Sequence, residues 1–337
     1  MLDTVGGCSR PSLRTRSTER PRSPSGGPGR DRLLLAGRYR LVGRVGRGGA
    51  AEVWRGHDER LDREVAVKQI VRRHPAGSGR SDGTEALTEA RLAARVRHPN
   101  VAAVHDLVEQ DRSCWLVQDY VPGRTLAAAL RACGPLSPIE VAGLGSQVLA
   151  ALEAVHAAGI VHCDVKPANL LLGDDGLVVL VDFGIARTPA EEATGRLGGA
   201  GPDGGEDSVV GTPAFLAPEL ARGERPQPAA DLWSLGATLY CAVEGRPPFA
   251  AGDPASTLAA VLHDPPRPSH RAGPLRPLLE RLLVKDPAGR PAHAEIGGLL
   301  AAVRGSAGRT PDRPADAGAA DPDPDATELV PGWHRTR

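Results

Sequence analysis

Lysine is nearly absent from this sequence of 337 residues, because Lys68, Lys166 and Lys285 are the only lysines among 41 basic side chains. Arginine supplies the other 41 − 3 = 38 positive charges. A lysine kept against such a bias indicates a position where a compact ammonium group is needed and a planar guanidinium does not serve.

Other absences narrow the class of protein. The five cysteines are scattered without C-x-x-C spacing, which argues against a disulfide framework or a zinc site and favours a reducing, cytoplasmic location. Acidic and basic residues cancel at 41 each, so there is no electrostatic argument for a nucleic-acid partner. No apolar run reaches the length of a membrane span, and the N-terminus carries no apolar signal segment, so no membrane span is expected.

The composition changes twice along the chain. Residues 1–36 are rich in Arg, Ser, Pro and Gly, and residues 304–337 in Pro, Asp and Ala, so both ends are predicted to be disordered. Between them, short apolar runs broken by glycine predict antiparallel strands and one helix over 84–97, with further strands near 101–108 and 114–121. Helical periodicity follows over 137–158, 228–244, 273–284 and about 292–303. Strands first and helices afterwards predict an α+β protein in two lobes, hinged near 119–124.

A glycine-rich stretch lies between two strand-like runs, where a hairpin can bring its backbone N–H groups over phosphates. It reads Gly46-Arg47-Gly48-Gly49-Ala50-Ala51-Glu52-Val53, and an ordinary glycine-rich hairpin is the alternative. Lys68 follows in an alternating strand. Glu89 lies in the apolar stripe of the 84–97 helix, where a carboxylate needs a cation such as Lys68 unless it sits at the rim in solvent.

Three polar residues after the long helix are spaced for phosphate chemistry. Asp164 and Asn169 are five residues apart with Lys166 between them, which can gather a base, a positive charge and a metal-binding amide around one phosphate. Asp182 ends a buried-strand run and is followed by Phe183-Gly184.

Taken together, the motifs resemble those of the bacterial, Hanks-type serine/threonine protein kinases over roughly residues 38–303. The glycine loop, VAVK, the helix glutamate, HCDVKPAN, DFG, Ala217-Pro218-Glu219, Asp231 and Arg290 occur in the family's order. The resemblance implies a two-lobed protein-kinase fold, with a small antiparallel β-sheet lobe carrying one key helix and a larger, mainly helical lobe. The kinase domain would cover 37–303, with an N-lobe over about 38–121 and a C-lobe over about 122–303.

The resemblance also implies a role for each motif residue. ATP would be held with Mg²⁺ or Mn²⁺; Lys68 would bind its α and β phosphates and pair with Glu89, while Asn169 and Asp182 would hold the metal. Asp164 would accept the substrate hydroxyl proton, and Lys166 would steady the γ-phosphate. The nucleotide pocket would be lined by Val45, Gly46, Gly48, Val53, Ala66, Lys68, Asp119, Val121 and Leu171, with Gln118 at its rear.

The same resemblance implies a substrate class and two structural contacts. Residues 211–219 (GTPAFLAPE) and the position of Lys166 favour Ser/Thr hydroxyls of proteins over tyrosine, and self-phosphorylation is expected. Glu219 and Arg290 would form a buried ion pair, and Asp231 would anchor the catalytic loop's backbone.

The sequence departs from the family pattern at three positions. Ala51 replaces the third glycine of the loop, and Ala50 stands where many kinases have an aromatic tip. Cys163 replaces the arginine that pairs with a phosphate on the activation segment, so we expect activity that is not gated by phosphorylation there. A redox switch at Cys163, a pseudokinase that binds ATP as a signalling module, and a small-molecule phosphotransferase are the alternatives.

Overall fold

The computed structural model describes residues 34–48, 51–70, 93–110, 113–182 and 213–305, without the side chains of 46–48, 51 and 70. The smaller lobe is a six-stranded antiparallel sheet in the order β1-β2-β3-β4-β6-β5. Apolar residues on one face of these strands pack a small core that includes Tyr39, Val65 and Val117. The strands are β1 (Leu34–Leu35), β2 (Tyr39–Gly48), β3 (Ala51–Asp58), β4 (Arg63–Ile70), β5 (Val104–Gln110) and β6 (Ser113–Asp119).

The segment before β5 joins the two lobes, which explains why β5 begins later than the sequence predicts. Val101 forms a parallel bridge with Leu180, and the amide of Ala102 donates to the Leu180 carbonyl at 3.0 Å. Asn100 Nδ2 donates to the carbonyl of Val178 at 2.8 Å. The backbone of Val101 and Ala102 therefore pairs with the larger lobe and is unavailable to the sheet of the smaller lobe. Of the predicted 84–97 helix, only residues 93–97 are described.

The larger lobe holds a three-stranded sheet and the helices that form the main core. Its sheet has the order β7-β8-β9, built from β7 (Arg124–Thr125), β8 (Leu170–Leu172) and β9 (Val178–Leu180). The α-helices of this lobe, within the described residues, are α1 (Leu126–Cys133), α2 (Pro138–Ala157), α3 (Pro218–Ala221), α4 (Pro228–Glu244), α5 (Pro254–His263), α6 (Arg276–Leu282) and α7 (His293–Gly305). The two-lobed α+β architecture expected from the sequence is confirmed.

Helix α2 is the central element of this lobe. It starts with a capping box, in which Ser137 and Glu140 satisfy each other's backbone amides, and Pro138 occupies its first turn. Within the described part of the chain, α2 is also a helix long and apolar enough to cross a membrane by length and composition. Half of that apolar window is buried, and the helix packs on α4 and α7, as the core helix of a folded domain does.

The connection after β6 needs glycine at one position. Gly123 has a φ of +143°, and a Cβ there would lie 2.3 Å from the carbonyl oxygen of Leu172. The chain can pass this close to β8 only without a side chain. This places Gly123 directly against β8 in the sheet of the larger lobe.

Candidate active site

The loop after α2 brings three of the predicted site residues into one hydrogen-bonded cluster. Lys166 Nζ lies 2.7 and 2.8 Å from the two carboxylate oxygens of Asp164. Asn169 Nδ2 donates to Asp164 twice, to its Oδ2 and to its main-chain carbonyl, each at 2.8 Å. Val165 between them is only 1% exposed, and the side chains of Asp164 and Lys166 are 13% and 14% exposed. The cluster thus holds one carboxylate between a cation and an amide.

The backbone that precedes Asp164 is anchored from below by a buried carboxylate. Asp231 is fully buried in α4, and its two oxygens accept the amides of His162 and Cys163, each at 2.8 Å. Cys163 has a φ of +62°, in the left-handed region that residues other than glycine adopt at a cost of about 1 kcal/mol. The hydrogen bond to Asp231 offsets that cost. The scaffold role expected for Asp231 therefore has a direct geometric basis.

His162 is a structural member of this loop. Its ring is fully buried, and burial lowers its pKa below the usual value, so the ring is neutral. Nε2 lies 3.2 Å from the carbonyl of Val181, and Nδ1 accepts the amide of Asp164 at 3.3 Å. This pattern requires the proton on Nε2. The ring thereby links the catalytic loop to the residue that precedes Asp182.

Lys68 reaches across to the second predicted carboxylate. Its Nζ lies 3.0 Å from Asp182 Oδ1, and both side chains are about one-fifth exposed, at 21% and 23%. Lys68 stands opposite Val53 in the sheet, and Val53 in turn stands opposite Gly46, so these three residues form one row. Asp182 has a φ of +59°, a second left-handed residue within the site. Glu89 lies outside the described residues, so its pairing with Lys68 stays a prediction.

The residues expected around the adenine fall on two surfaces. Ala66 is buried at the sheet position opposite Gln118, which is only 4% exposed. Val121 and Leu171 pack against a cluster formed by Ala102 of the connecting segment with Val179 and Val181 of the larger lobe. Val45 is 55% exposed at the open edge of β2, and Gly46 and Gly48 are described as backbone only.

Asp119 at the end of β6 is held by its neighbours. Its Oδ2 accepts the amide of Ala103 at 2.9 Å, and its Oδ1 lies 2.6 Å from Nε2 of His105. Its own amide donates to the Ala103 carbonyl at 3.0 Å. The side chain of Asp119 is thus bonded to β5 and to the backbone before it.

The donor set fits a magnesium ion held together with phosphate oxygens. Asn169 engages its amide nitrogen with Asp164, so its amide oxygen remains as a ligand, and Asp182 offers a carboxylate. Oxygen ligands suit Mg²⁺, which usually takes only one or two carboxylates plus substrate phosphates. Within the described ranges no group of three His, Cys, Asp or Glu side chains could hold a metal by itself.

A buried ion pair braces the segment beyond the loop. Arg290 bonds Glu219 through both terminal nitrogens, at 2.6 and 2.8 Å, as expected from the sequence. The same guanidinium donates to the carbonyls of Ala229, Val284 and Lys285 at 2.8, 3.0 and 3.2 Å. All five of its N–H groups are therefore used.

Comparison with known proteins decides the family. Residues 39–298 match the family model described as the protein kinase domain. The chain belongs to the protein kinase family. Its relatives include serine/threonine-protein kinase PknA of Mycobacterium tuberculosis, which is 39% identical over 292 residues, covering 84% of this chain and 64% of the relative. Serine/threonine-protein kinase PkaA of Streptomyces coelicolor is 35% identical over 284 residues, covering 80% of this chain and 50% of the relative.

This kinase-family chain thus spans less than two thirds of the length of those relatives. Several sequence expectations lie outside its described residues, namely the loop tip at Ala50, Phe183-Gly184, and Gly211-Thr212 of the GTPAFLAPE segment.

Two histidines that contact the site scaffold were missed by the sequence reasoning. His156 contacts Asp231 and His293 contacts His156. The only available signal was a histidine on the inner side of an apolar helix, and such a residue alone does not indicate a function.

Proposed function

We propose that this chain is an ATP-dependent kinase that transfers the γ-phosphoryl group of ATP to Ser and Thr hydroxyls of proteins. The observation that carries the proposal is the convergence of Lys166 and Asn169 on the carboxylate of Asp164. The names of the two relatives reported above, both serine/threonine-protein kinases, support the same substrate class.

Asp164 is the group that accepts the proton of the attacking hydroxyl. As the hydroxyl oxygen bonds to the γ-phosphorus, its proton passes to the Asp164 carboxylate and ADP leaves with the electrons of the broken P–O bond. Asn169 fixes the orientation of the carboxylate by bonding to Oδ2. The ammonium group of Lys166 lies beside Asp164, so it is also close to a γ-phosphate placed next to Asp164. There its positive charge stabilises the negative charge that spreads over the phosphate oxygens during transfer.

The nucleotide would be held between the row of Gly46, Val53 and Lys68 and the larger lobe. Lys68 supplies a positive charge toward the phosphates, and Asn169 and Asp182 supply oxygen ligands to Mg²⁺ or Mn²⁺. The metal, when bound, neutralises the phosphate oxygens and aligns them for transfer. Ala66, Val121 and Leu171 provide apolar contacts for the base, together with Val45.

The wider assignments are part of the same proposal. The kinase domain would cover 37–303. Strand β1 (Leu34–Leu35) and the end of α7 (His293–Gly305) lie within the arm over 1–36 and the tail over 304–337, and residues 1–33 and 306–337 are outside the described ranges. The protein would act in the cytoplasm on protein substrates and on itself, without a membrane span or a nucleic-acid partner. The burial of α2 against α4 and α7 supports the absence of a span in the described part.

Activity would not require a phosphate on the activation segment. Cys163 stands where the family has an arginine, and its sulfur lies 3.7 Å from the carbonyl of Val161 while the side chain packs on the main core. A thiol in this place offers no positive charge to a phosphate. Phosphatase treatment is therefore expected to leave activity in place, and its abolition by phosphatase would refute this part of the proposal.

The direct test is transfer of labelled phosphate from ATP, with Mg²⁺ or Mn²⁺, to a generic basic acceptor protein and to the chain itself. Asp164→Asn keeps the shape of the side chain and removes the base, and Lys68→Met removes the phosphate-facing charge. We expect labelling of Ser and Thr by the wild type and none by either variant. ATP binding without any labelling would instead support the pseudokinase alternative.

A further inference from the structure

Two histidine rings form a hydrogen-bonded chain that ends on the carboxylate of Asp231. His156, in the last turn of α2, places Nε2 at 2.7 Å from Asp231 Oδ2. Its Nδ1 lies 3.0 Å from Nε2 of His293 at the start of α7. The rings meet edge to face, with centroids 5.1 Å apart and planes at 77°. Helix α7 is thereby connected to the carboxylate that anchors the catalytic loop.

The Asp231 end of this hydrogen-bonded chain determines which ring nitrogens carry a proton. The Asp231 carboxylate only accepts, and it already accepts two backbone amides, so Nε2 of His156 must carry a proton. A neutral His156 then has a bare Nδ1 that needs a donor, and Nε2–H of His293 is the group that meets it. In the other tautomer, His156 would turn a lone pair toward a buried carboxylate. His293 therefore favours the tautomer that Asp231 requires.

Burial and groups from α2 and α4 act on the pKa of His293. Burial lowers the pKa of His293 and the adjacent His156 lowers it further, while Glu153 on α2 and Asp231 on α4 act in the opposite direction. Glu295, on the same helix, is paired with Arg281 of α6. The net direction favours the neutral form of His293, whose Nε2–H is the donor to His156.

We propose that His293 is a positioning residue for the phosphoryl-transfer site. By donating to His156 it fixes the tautomer that bonds Asp231, and Asp231 holds the amides of His162 and Cys163 directly before the catalytic aspartate. The anchor matters because the left-handed backbone at Cys163 is unfavourable for a residue with a side chain. The consequence for activity rests on the proposed kinase function, whereas the consequence for the loop does not.

The test compares His293→Leu, which removes the donor, with His293→Gln, which keeps an N–H donor, in the full chain. His263→Leu, on the exposed end of α5, is the matched control for loss of one histidine. The ¹⁵N shifts of the His156 ring are expected to show the Nε2–H tautomer in the wild type, the Gln variant and the control, and a mixture of tautomers in the Leu variant. Hydrogen exchange at the Cys163 amide is expected to be about threefold to tenfold faster in the Leu variant, the effect of one weakened hydrogen bond.

In the activity assay, we expect kcat of His293→Leu to fall about threefold to tenfold, with KM for ATP unchanged. His293→Gln should recover the wild-type kcat. An unchanged His156 tautomer and unchanged exchange in the Leu variant would overturn the proposal, even if activity fell. Wild-type protein with no transferase activity would count against the proposed function alone, because the ring shifts and exchange still test the positioning role. If leucine prevents folding, His293→Ala removes the same donor without added bulk and is judged by the same outcomes.

Discussion

Replacing Glu219 by alanine leaves the guanidinium of Arg290 buried without its carboxylate. The two side chains are 3% and 0% exposed, so water does not reach the orphaned charge. Breaking a buried pair of this kind costs about 3–5 kcal/mol. A domain of ordinary stability has about 5–15 kcal/mol in total, so the loss is a large fraction of it. We expect the free energy of unfolding of Glu219→Ala to fall by this amount.

The assay is equilibrium unfolding in urea, followed by tryptophan fluorescence and by circular dichroism. Trp233 is a suitable reporter because it is fully buried and Arg290 Cζ lies 5.2 Å from its ring centroid. The matched control is Glu295→Ala, which breaks an ion pair with Arg281 whose side chains are 44% and 48% exposed. An exposed pair is worth about 0–1 kcal/mol. Equal costs for the two variants would refute the reasoning that burial makes the first pair important.

A double replacement separates the ion pair from the other bonds of the guanidinium. If Arg290 and Glu219 satisfied only each other, a Met/Met pair of similar volume would be nearly neutral. Arg290 also serves three backbone carbonyls, so we expect the double variant to remain about 1–3 kcal/mol less stable than the wild type. A neutral double variant would show that these carbonyls find water or other partners.

Three further predictions concern titration and thiol reactivity. The hydrogen bond from Arg38 lowers the pKa of Asp58 to about 2, so this carboxylate adds stability above its unfolded pKa near 4, and the contribution is lost as the pH falls through about 2. Thermal melts of Asp58→Asn between pH 4 and 2 should therefore be flatter than those of the wild type, and parallel curves would contradict the assignment. Burial lowers the pKa of His162, so below about pH 6.5 the unfolded state binds a proton that the folded state does not bind. The free energy of unfolding should therefore fall as the pH drops below that value. His162→Gln should reduce that slope in urea unfolding, and an unchanged slope would show that another group causes it. Burial raises the pKa of Cys241 to about 11, so iodoacetamide at neutral pH should alkylate the exposed Cys133 well before Cys241, as peptide mass spectrometry would show, and similar rates would count against a buried thiol.

Among the helices with a strong cap or a well-buried face, the sequence predicted α2 and α4 but missed α1, which Thr125 caps. Helix α2 has a capping box and an apolar face that the core covers, and α4 is buried along most of its length. Helix α5 was not predicted, because only Thr257 and Val261 of its residues are buried and two positions make no visible stripe. The 273–284 region is a 3₁₀ turn followed by α6, since Pro277 stands at the start of the α-helix.

Within the site, contacts between residues that are close in the sequence could be predicted, and contacts between distant residues could not. Asp164, Lys166 and Asn169 lie within six residues of one another, so local spacing was enough to predict that they meet. His156 and His293 are separated by 137 positions. Their contact depends on how α7 packs across α2, which no local pattern in one sequence encodes.

The scarcity of lysine has a practical consequence now that all three side chains are placed. Lys68 bonds Asp182, Lys166 bonds Asp164, and Lys285 caps the end of α5 through the carbonyls of Ala260 and Val261 while its ammonium lies 4.0 Å from the ring centroid of Phe249. Amine-reactive dyes, cross-linkers and immobilisation chemistries thus meet no freely solvated lysine on this protein. Whatever label they do attach to a lysine will mark either the proposed nucleotide site or the end of α5.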